Sequence, residues 1–450
     1  MSKNSQFYNL FKKSSYDKEI LNLAIPNIIS NISVPLLGLA DVIVMGHLGS
    51  SIYLGAIAIG TMIFNFIFWT FGFLRMGTSG FTAQSYGALN FPEAIHHLYR
   101  GLFIGIIAGI LLILLQRPIS YIAFNSLDAS TAVESIARDY FDIRIYTAPA
   151  TIALYAFMGW FIGMQNTRIP MFITLFVNIL NIGLNILFVY QFNLNVKGIA
   201  YGGIISQYSG LMLAFIFLKT KYSNLSKLIN YTQIINRKAL IMFMNVNRDI
   251  FIRTILLIFA FSSFTAQSAK YGDNILAINT LLYQFFIFFS YAMDGFAYAA
   301  EAIAGKYFGA KNSTELKNSV TRLFHWGIAM SLIFSLIYFL FNNQILQFLT
   351  NQKSIIAQAQ SYSLFIITLP VLSFMAFLWD GVYVGCTASK EMRNSMIIAV
   401  LIVYFPTALL LQPKMGNNGL WIAFLFFLAT RGIMLALFYK KGIMNKIRER

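Results

Sequence analysis

Charge is what this chain has least of. Only 11% of its 450 residues are Asp, Glu, Lys or Arg, where a soluble domain carries about a quarter. With 58% hydrophobic residues and a mean hydropathy of +0.67, that scarcity excludes a water-soluble fold. Cysteine is nearly missing too, and the single Cys386 excludes an intrachain disulfide and carries no redox message. The four histidines, His47, His96, His97 and His325, show no HExxH-like spacing, and the lone thiol has no evident partner. The nucleophile, metal or acid–base constellation of a membrane-embedded enzyme is therefore lacking, and the chain reads as a non-enzyme. The N-terminus offers no short apolar stretch with a small-residue cleavage site, so the first apolar run is expected to be a retained helix.

What the chain has instead is long apolar runs near the roughly 20 residues that cross a bilayer. They fall at 20–44, 54–74, 101–115, 145–164, 169–192 and 198–218, and resume at 239–264, 274–304, 324–341, 355–379, 391–411 and 419–439. Lipid leaves each backbone amide to be satisfied internally, and runs this long do not match the alternating ten-residue strands of an outer-membrane barrel. The expectation is an all-α, multi-pass protein of twelve helices in a plasma or bacterial inner membrane.

The net charge of +17 raises nucleic acid as a partner, but basic residues in a membrane chain usually mark loops kept in the cytoplasm. With an inside N-terminus, the outside loops hold only Arg117, Lys197, Lys270, Lys353 and Lys414. Six arginines (75, 138, 144, 248, 253, 431) fall within helices. The rest of the 33, including Lys3, Lys12, Lys13, Arg100, Arg322 and Arg450, fall on inside tails and loops. This distribution predicts two cytoplasmic termini and no nucleic-acid partner. One long polar, basic connection, 219–238, lies near the midpoint, giving an N-lobe at 1–218, a linker at 219–238 and a C-lobe at 239–450 with a basic C-terminal tail.

Positions across that linker repeat. Gly159, Gly163 and Thr167 recur as Gly381, Gly385 and Ser389, and Gly87-Ala88 recurs as Gly309-Ala310, each 222 residues on; Pro149 and Pro370, like Gly198 and Gly419, are 221 apart. Each match is weak alone, and the shared offset gives them weight. Six helices per half return the chain to the same side, so the halves are expected to be parallel repeats around a central cavity.

Five acids lie in or near apolar runs: Asp41, Asp249, Asp294, Glu301 and Asp380. A carboxylate at mid-membrane costs about 2.5–3.5 kcal/mol on insertion scales, so it is normally paired, wet or protonated. Asp41 follows Pro26 and Pro35 on one helix, and interior prolines favour a kink; an interfacial Asp reaching headgroups is the plainer reading. Asn178, Asn181 and Asn185 occupy one helical face, either as interhelical glue or as the lining of a wet site. Their repeat counterparts carry no such groups. Asp294 and Glu301 share a face of the eighth run, where the first half has Gly72 and Ser79. Asp249 and Arg253, one turn apart, read as a structural ion pair rather than a ligand site. Asp380 either lines the cavity or marks a helix break, with Arg75 and Arg253 as interior cations. Most of the 44 Phe and 18 Met are expected against lipid or in the core, with some facing the cavity, where aromatic and Met surfaces suit varied apolar cations.

In ADVIVMGHLG, FGFLRMGTSGFTAQSYGA and GWFIGMQNTRIPM of the first half, and NRDIFIRT, MDGFAYAAEAIAGKYFGA and DGVYVGCTASKEMRNSM of the second, the chain resembles the multidrug and toxic compound extrusion (MATE) family, particularly its DinF-like branch. The resemblance implies two six-helix lobes opening alternately to either side, exporting organic compounds against inward flow of protons or Na⁺. Asp41 matches the family's first-helix acid, whose protonation is proposed to bend that helix, and Asn181 matches a fifth-helix Asn beside it. Asn185 stands where many members have Asp, and Gly203 where a sixth-helix Thr is expected. Both departures remove charge or oxygen from the first-lobe cation site and favour protons over Na⁺.

The resulting expectation is a proton-coupled antiporter, with Asp41, Asn178, Asn181 and Asn185 in coupling, Pro26 and Pro35 at a kink, and Asp294, Glu301, Asp380 and Arg253 in the substrate cavity. It needs no cofactor or metal and works as a monomer on small organic, cationic or amphipathic substrates. The rival readings are a Na⁺-coupled exporter and a flippase for lipid-linked sugars, for which two interior arginines are few.

Overall fold

The computed structural model describes residues 15–46, 51–126 and 129–449; Lys3, Lys12, Lys13, His47 and Arg450 lie outside them. Among the described residues there is no strand, and twelve spans are long and apolar enough to cross a membrane. They are α1 (Ser15–Gly46), α2 (Ser51–Gly87), α3 (Phe91–Leu114), α4 (Thr131–Gly163), α5 (Arg168–Gln191), α6 (Asn195–Lys221), α7 (Arg237–Ala269), α8 (Asp273–Gly309), α9 (Ser313–Leu349), α10 (Ser363–Gly385), α11 (Ser389–Met415) and α12 (Asn417–Ile447). The chain is a multi-pass all-α membrane protein.

Apolar counting misplaces some span ends for identifiable reasons. α4 begins at Thr131, not 145, because Ser130 caps a polar first turn by accepting from the Val133 amide. A short 3₁₀ turn, Ile145–Thr147, then joins that polar half to the apolar half. The expected run 355–379 splits, since Lys353–Gln360 is a helix of its own and α10 starts at Ser363. The linker is partly helical, with short helices at Ser223–Ser226 and Tyr231–Ile234. Arg100, expected in an inside loop, is instead buried in α3. It donates to the Gln233 and Ile234 carbonyls at 2.7 and 3.2 Å and to Glu93 at 2.6 Å, while the Asn230 amide donates to His96 Nε2 at 3.1 Å. The linker is thus pinned to α3.

Contacts divide the chain into two compact units, Met1–Ile28 with Arg248–Arg450, and Ile29–Asn247. The divisions fall inside α1 and α7 rather than at the 219–238 linker. In the first unit, the start of α1 is tied by Asp17, which accepts from Arg322 at 2.6 and 2.7 Å and from Trp326 at 2.8 Å, and by Glu19, which accepts from Lys306 at 2.8 Å. The rest of α1 belongs to the other unit. Arg322, expected in a loop, therefore lies in α9 and anchors α1.

The repeat is visible as repeated contacts within each unit. A Cβ added at Gly159 would lie 2.2 Å from the Arg75 carbonyl oxygen, and one at Gly381 would lie 2.2 Å from that of Ala297; Gly163 meets Ser79 as Gly385 meets Glu301. All four pairs differ by 222 residues. Only a glycine lets α4 approach α2, or α10 approach α8, this closely. The turns repeat as well, for Leu89 and Lys311 have φ of 57° and 56°, and Asn90 and Asn312 cap α3 and α9 by accepting from the Glu93 and Glu315 amides.

Candidate functional site

In the unit Ile29–Asn247, the end of α1 meets the amide face of α5. Asn185 Nδ2 donates to Asp41 Oδ1 at 2.7 Å and to Asn181 Oδ1 at 3.0 Å, and Asn181 donates to Ser206 Oγ of α6 at 3.1 Å. Asn178 donates to Ser33 Oγ of α1 at 2.9 Å. It therefore braces α1 upstream of Asp41 instead of touching the acid. The side chains grow drier toward the acid, from 9% exposure at Asn178 to 4% at Asn181 and 0% at Asn185. Asp41 itself is half-buried and lines a cavity of about 430 Å³ with Thr61 and Asn65 of α2 among apolar neighbours such as Val42, Leu54 and Met62. α1 is helical without interruption through Pro26 and Pro35.

Two further side chains complete the cluster. The charge of Arg144, at the 3₁₀ turn of α4, acts on Asp41, and its guanidinium lies over the rings of Tyr140 and Phe64, with centroids at 5.4 and 5.8 Å. Gly202 and Gly203 of α6 make the room. A Cβ at 202 would lie 2.2 Å from Asn185 Oδ1, and one at 203 would lie 2.8 Å from Arg144 Nη1.

The unit containing Arg248–Arg450 holds a different cluster. Asp380 Oδ2 accepts from Arg431 at 2.6 Å and also from Arg253, and both arginines are buried. Asp294 is half-buried, and its charge acts on Arg431. Glu301 is buried where α8 packs on Gly385. The expected Asp249–Arg253 pair does not form as such. Asp249 accepts from Arg393 at 2.7 Å and from Ser389 at 3.4 Å, while Arg253 goes to Asp380. A one-turn helix pair is worth only about 0.2–0.5 kcal/mol, and buried carboxylates demand several charge-assisted donors, so tertiary partners win.

Among its described residues the chain thus combines twelve apolar spans, a twofold repeat with glycine-mediated contacts in both halves, and an acid–amide cluster at a cavity. The MatE family model matches residues 26–187 and 250–410, one stretch in each half. This chain belongs to the MatE family. It is 37% identical over 436 residues, covering 96% of this chain and 94% of the other, to "DNA damage-inducible protein F" of Escherichia coli (strain K12). It is 24% identical over 468 residues, 98% of this chain and 97% of the other, to "Probable multidrug resistance protein NorM" of Thermotoga maritima. Its fold matches a MOP superfamily transporter from Pyrococcus furiosus and an outward-facing multidrug resistance MATE transporter. Each has a TM-score of 0.85 and 19% identity, with 100% of both chains covered.

Within this MatE chain, sequence reasoning overlooked Arg144, Tyr140, Ser206 and Arg431 as site residues. A usable signal existed for Arg144: it is one of the six arginines expected within helices, directly before the apolar run at 145, and the Gly-Gly pair in α6 marks where a large side chain comes close.

Proposed function

We propose that this MatE transporter exports organic, cationic or amphipathic compounds by alternating access, coupled to inward proton flow, as a monomer with both termini cytoplasmic. The observation that carries this reading is the Asn185–Asp41 hydrogen bond at the wall of the 430 Å³ cavity. A carboxylate held by an amide, on a helix whose other side chains are mostly apolar, is suited to carry one proton at a time.

In the ionised state Asp41 holds the Asn185 amide and, through it, Asn181 and Ser206. Protonation cancels that charge and weakens the charge-assisted bond. α1 is the element that can respond. Its start is fixed by Asp17 and Glu19 in one unit and its end by Asn178 and Asn185 in the other. Pro26 and Pro35, on either side of the division at Ile28, each remove one backbone hydrogen bond from α1 and make bending there cheaper. Asp294, the half-buried acid of the other unit, is the group we assign to attracting a cationic substrate.

The support for protons over Na⁺ is the ligand set. Asp41 contributes one carboxylate among amides and a hydroxyl, where Na⁺ prefers several charged oxygens. The test is efflux from proteoliposomes under proton or Na⁺ gradients imposed separately, over a small panel of cationic and neutral dyes. Proton-driven, Na⁺-independent export of cations is expected; export driven by Na⁺ alone contradicts the coupling, and no export of any compound contradicts the substrate class.

A further inference from the structure

Resting on the proton-coupled reading above, we infer that Arg144 is a built-in cation of the Asp41 cluster: its guanidinium fills the space Gly203 leaves and bars Na⁺ from this site.

Four observations carry it. The space is tight, because a Cβ at Gly203 would stand 2.8 Å from Arg144 Nη1, so a larger residue there displaces the guanidinium, while Asn181 Nδ2 at 3.9 Å is in ordinary contact. The charge is placed where a bound cation would have to be, near Asp41 and beside the amide ladder. The guanidinium lies over the ring faces of Tyr140 and Phe64, whereas Arg431 donates to the Asp380 carboxylate at 2.6 Å. Finally, Arg144 sits at the 3₁₀ turn of α4, where Thr147 Oγ1 donates to its carbonyl at 2.8 Å. That turn aims the side chain toward α6.

The consequences follow from charge. With Asp41 ionised, the pair is neutral without any bound metal ion. A Na⁺ ion entering would face a fixed like charge in the same cluster, and like charges repel strongly where the effective dielectric is low. A proton does not meet this obstacle in the same way, since it bonds covalently to the carboxylate and needs no coordination space. Once Asp41 is protonated, Arg144 becomes the uncompensated charge of the cluster. Among the described residues, Arg144 and Tyr140 on α4 are the charged and titratable groups that act on Asp41, while α2 and α5 present the neutral Thr61, Asn65, Asn181 and Asn185.

The test uses the full chain in proteoliposomes with ethidium as the exported probe, comparing wild type with Arg144→Gln, Arg144→Lys and Gly203→Thr. Wild type and Arg144→Lys are expected to run on a proton gradient with no response to Na⁺. Arg144→Gln removes the charge, and Gly203→Thr pushes the guanidinium aside and adds an oxygen. Both are expected to raise Na⁺-driven efflux about tenfold above wild type, within the range of site-to-site couplings. The same two purified variants should gain thermal stability on adding Na⁺, a readout that does not need transport. If both variants fold and remain indifferent to Na⁺ in both measurements, the inference is overturned while the proton reading stands. If wild type itself is driven by Na⁺, the proton reading falls with it. Should Arg144→Gln not fold, Gly203→Thr decides alone.

Discussion

The two units carry buried charge in opposite styles. In one, Asp380 is clamped by two buried arginines that come from α7 and α12. In the other, Asp41 takes one amide hydrogen bond from Asn185 and lies half-open at a cavity, with Arg144 held by aromatic faces. The scaffolds beneath are repeats of each other, with the same glycine contacts and the same capped turns. Under the proposed function, the same architecture uses one charge cluster to fix helices and the other to change state. A charge that must be gained and lost cannot be tied by several strong bonds, because each would have to be broken in every cycle.

The sharpest way to break this comparison is Asp380→Asn. It strands two buried guanidiniums, and removing one partner of a buried ion pair costs about 3–5 kcal/mol. We expect a large loss of folded protein, read as a lowered melting temperature in detergent, while Asp41→Asn melts near wild type. Equal destabilisation by both would erase the distinction. Asn185→Ala comes next. It removes a hydrogen bond to a charged group, worth about 1.5–3 kcal/mol, and should slow proton-driven efflux at least tenfold with the fold retained; an unchanged rate would remove Asn185 from the coupling path. Smaller still are Gly159→Ala and Gly381→Ala. Overpacking of this kind costs about 1–3 kcal/mol, and the two should destabilise alike, since both press on a backbone carbonyl. A clear inequality would show that the repeat is less faithful in energy than in geometry. The mildest change is the Asp294→Ala, Glu301→Ala double variant, expected to weaken affinity for a cationic dye several-fold; unchanged affinity would free the substrate cavity from the acidic face of α8.

How far the sequence carries depends on the range of the interaction. The spans were legible because hydrophobic length is a property of consecutive residues, and the repeat because glycines at a fixed offset record close helix packing. Asp41 and the amide stripe of α5 were legible because polar groups at membrane depth are expensive enough to need a reason. What sequence could not supply is which partner each charge takes. The i, i+4 spacing of Asp249 and Arg253 pointed to a pair, yet both found stronger tertiary partners in Arg393 and Asp380. Arg100, read as a loop cation, is a buried anchor for the linker, since a basic residue one turn inside a helix looks the same as one just outside it. The unit divisions inside α1 and α7 were invisible for a related reason: a continuous helix carries no compositional mark where its contacts change from one unit to the other.

The central claim is that Asp41 is the group whose protonation drives transport. Its most direct test is proton-driven dye efflux from vesicles containing Asp41→Asn, with correct insertion and wild-type stability verified on the same preparation. The account predicts efflux at the level of empty vesicles at any imposed pH gradient. Efflux equal to wild type would contradict it.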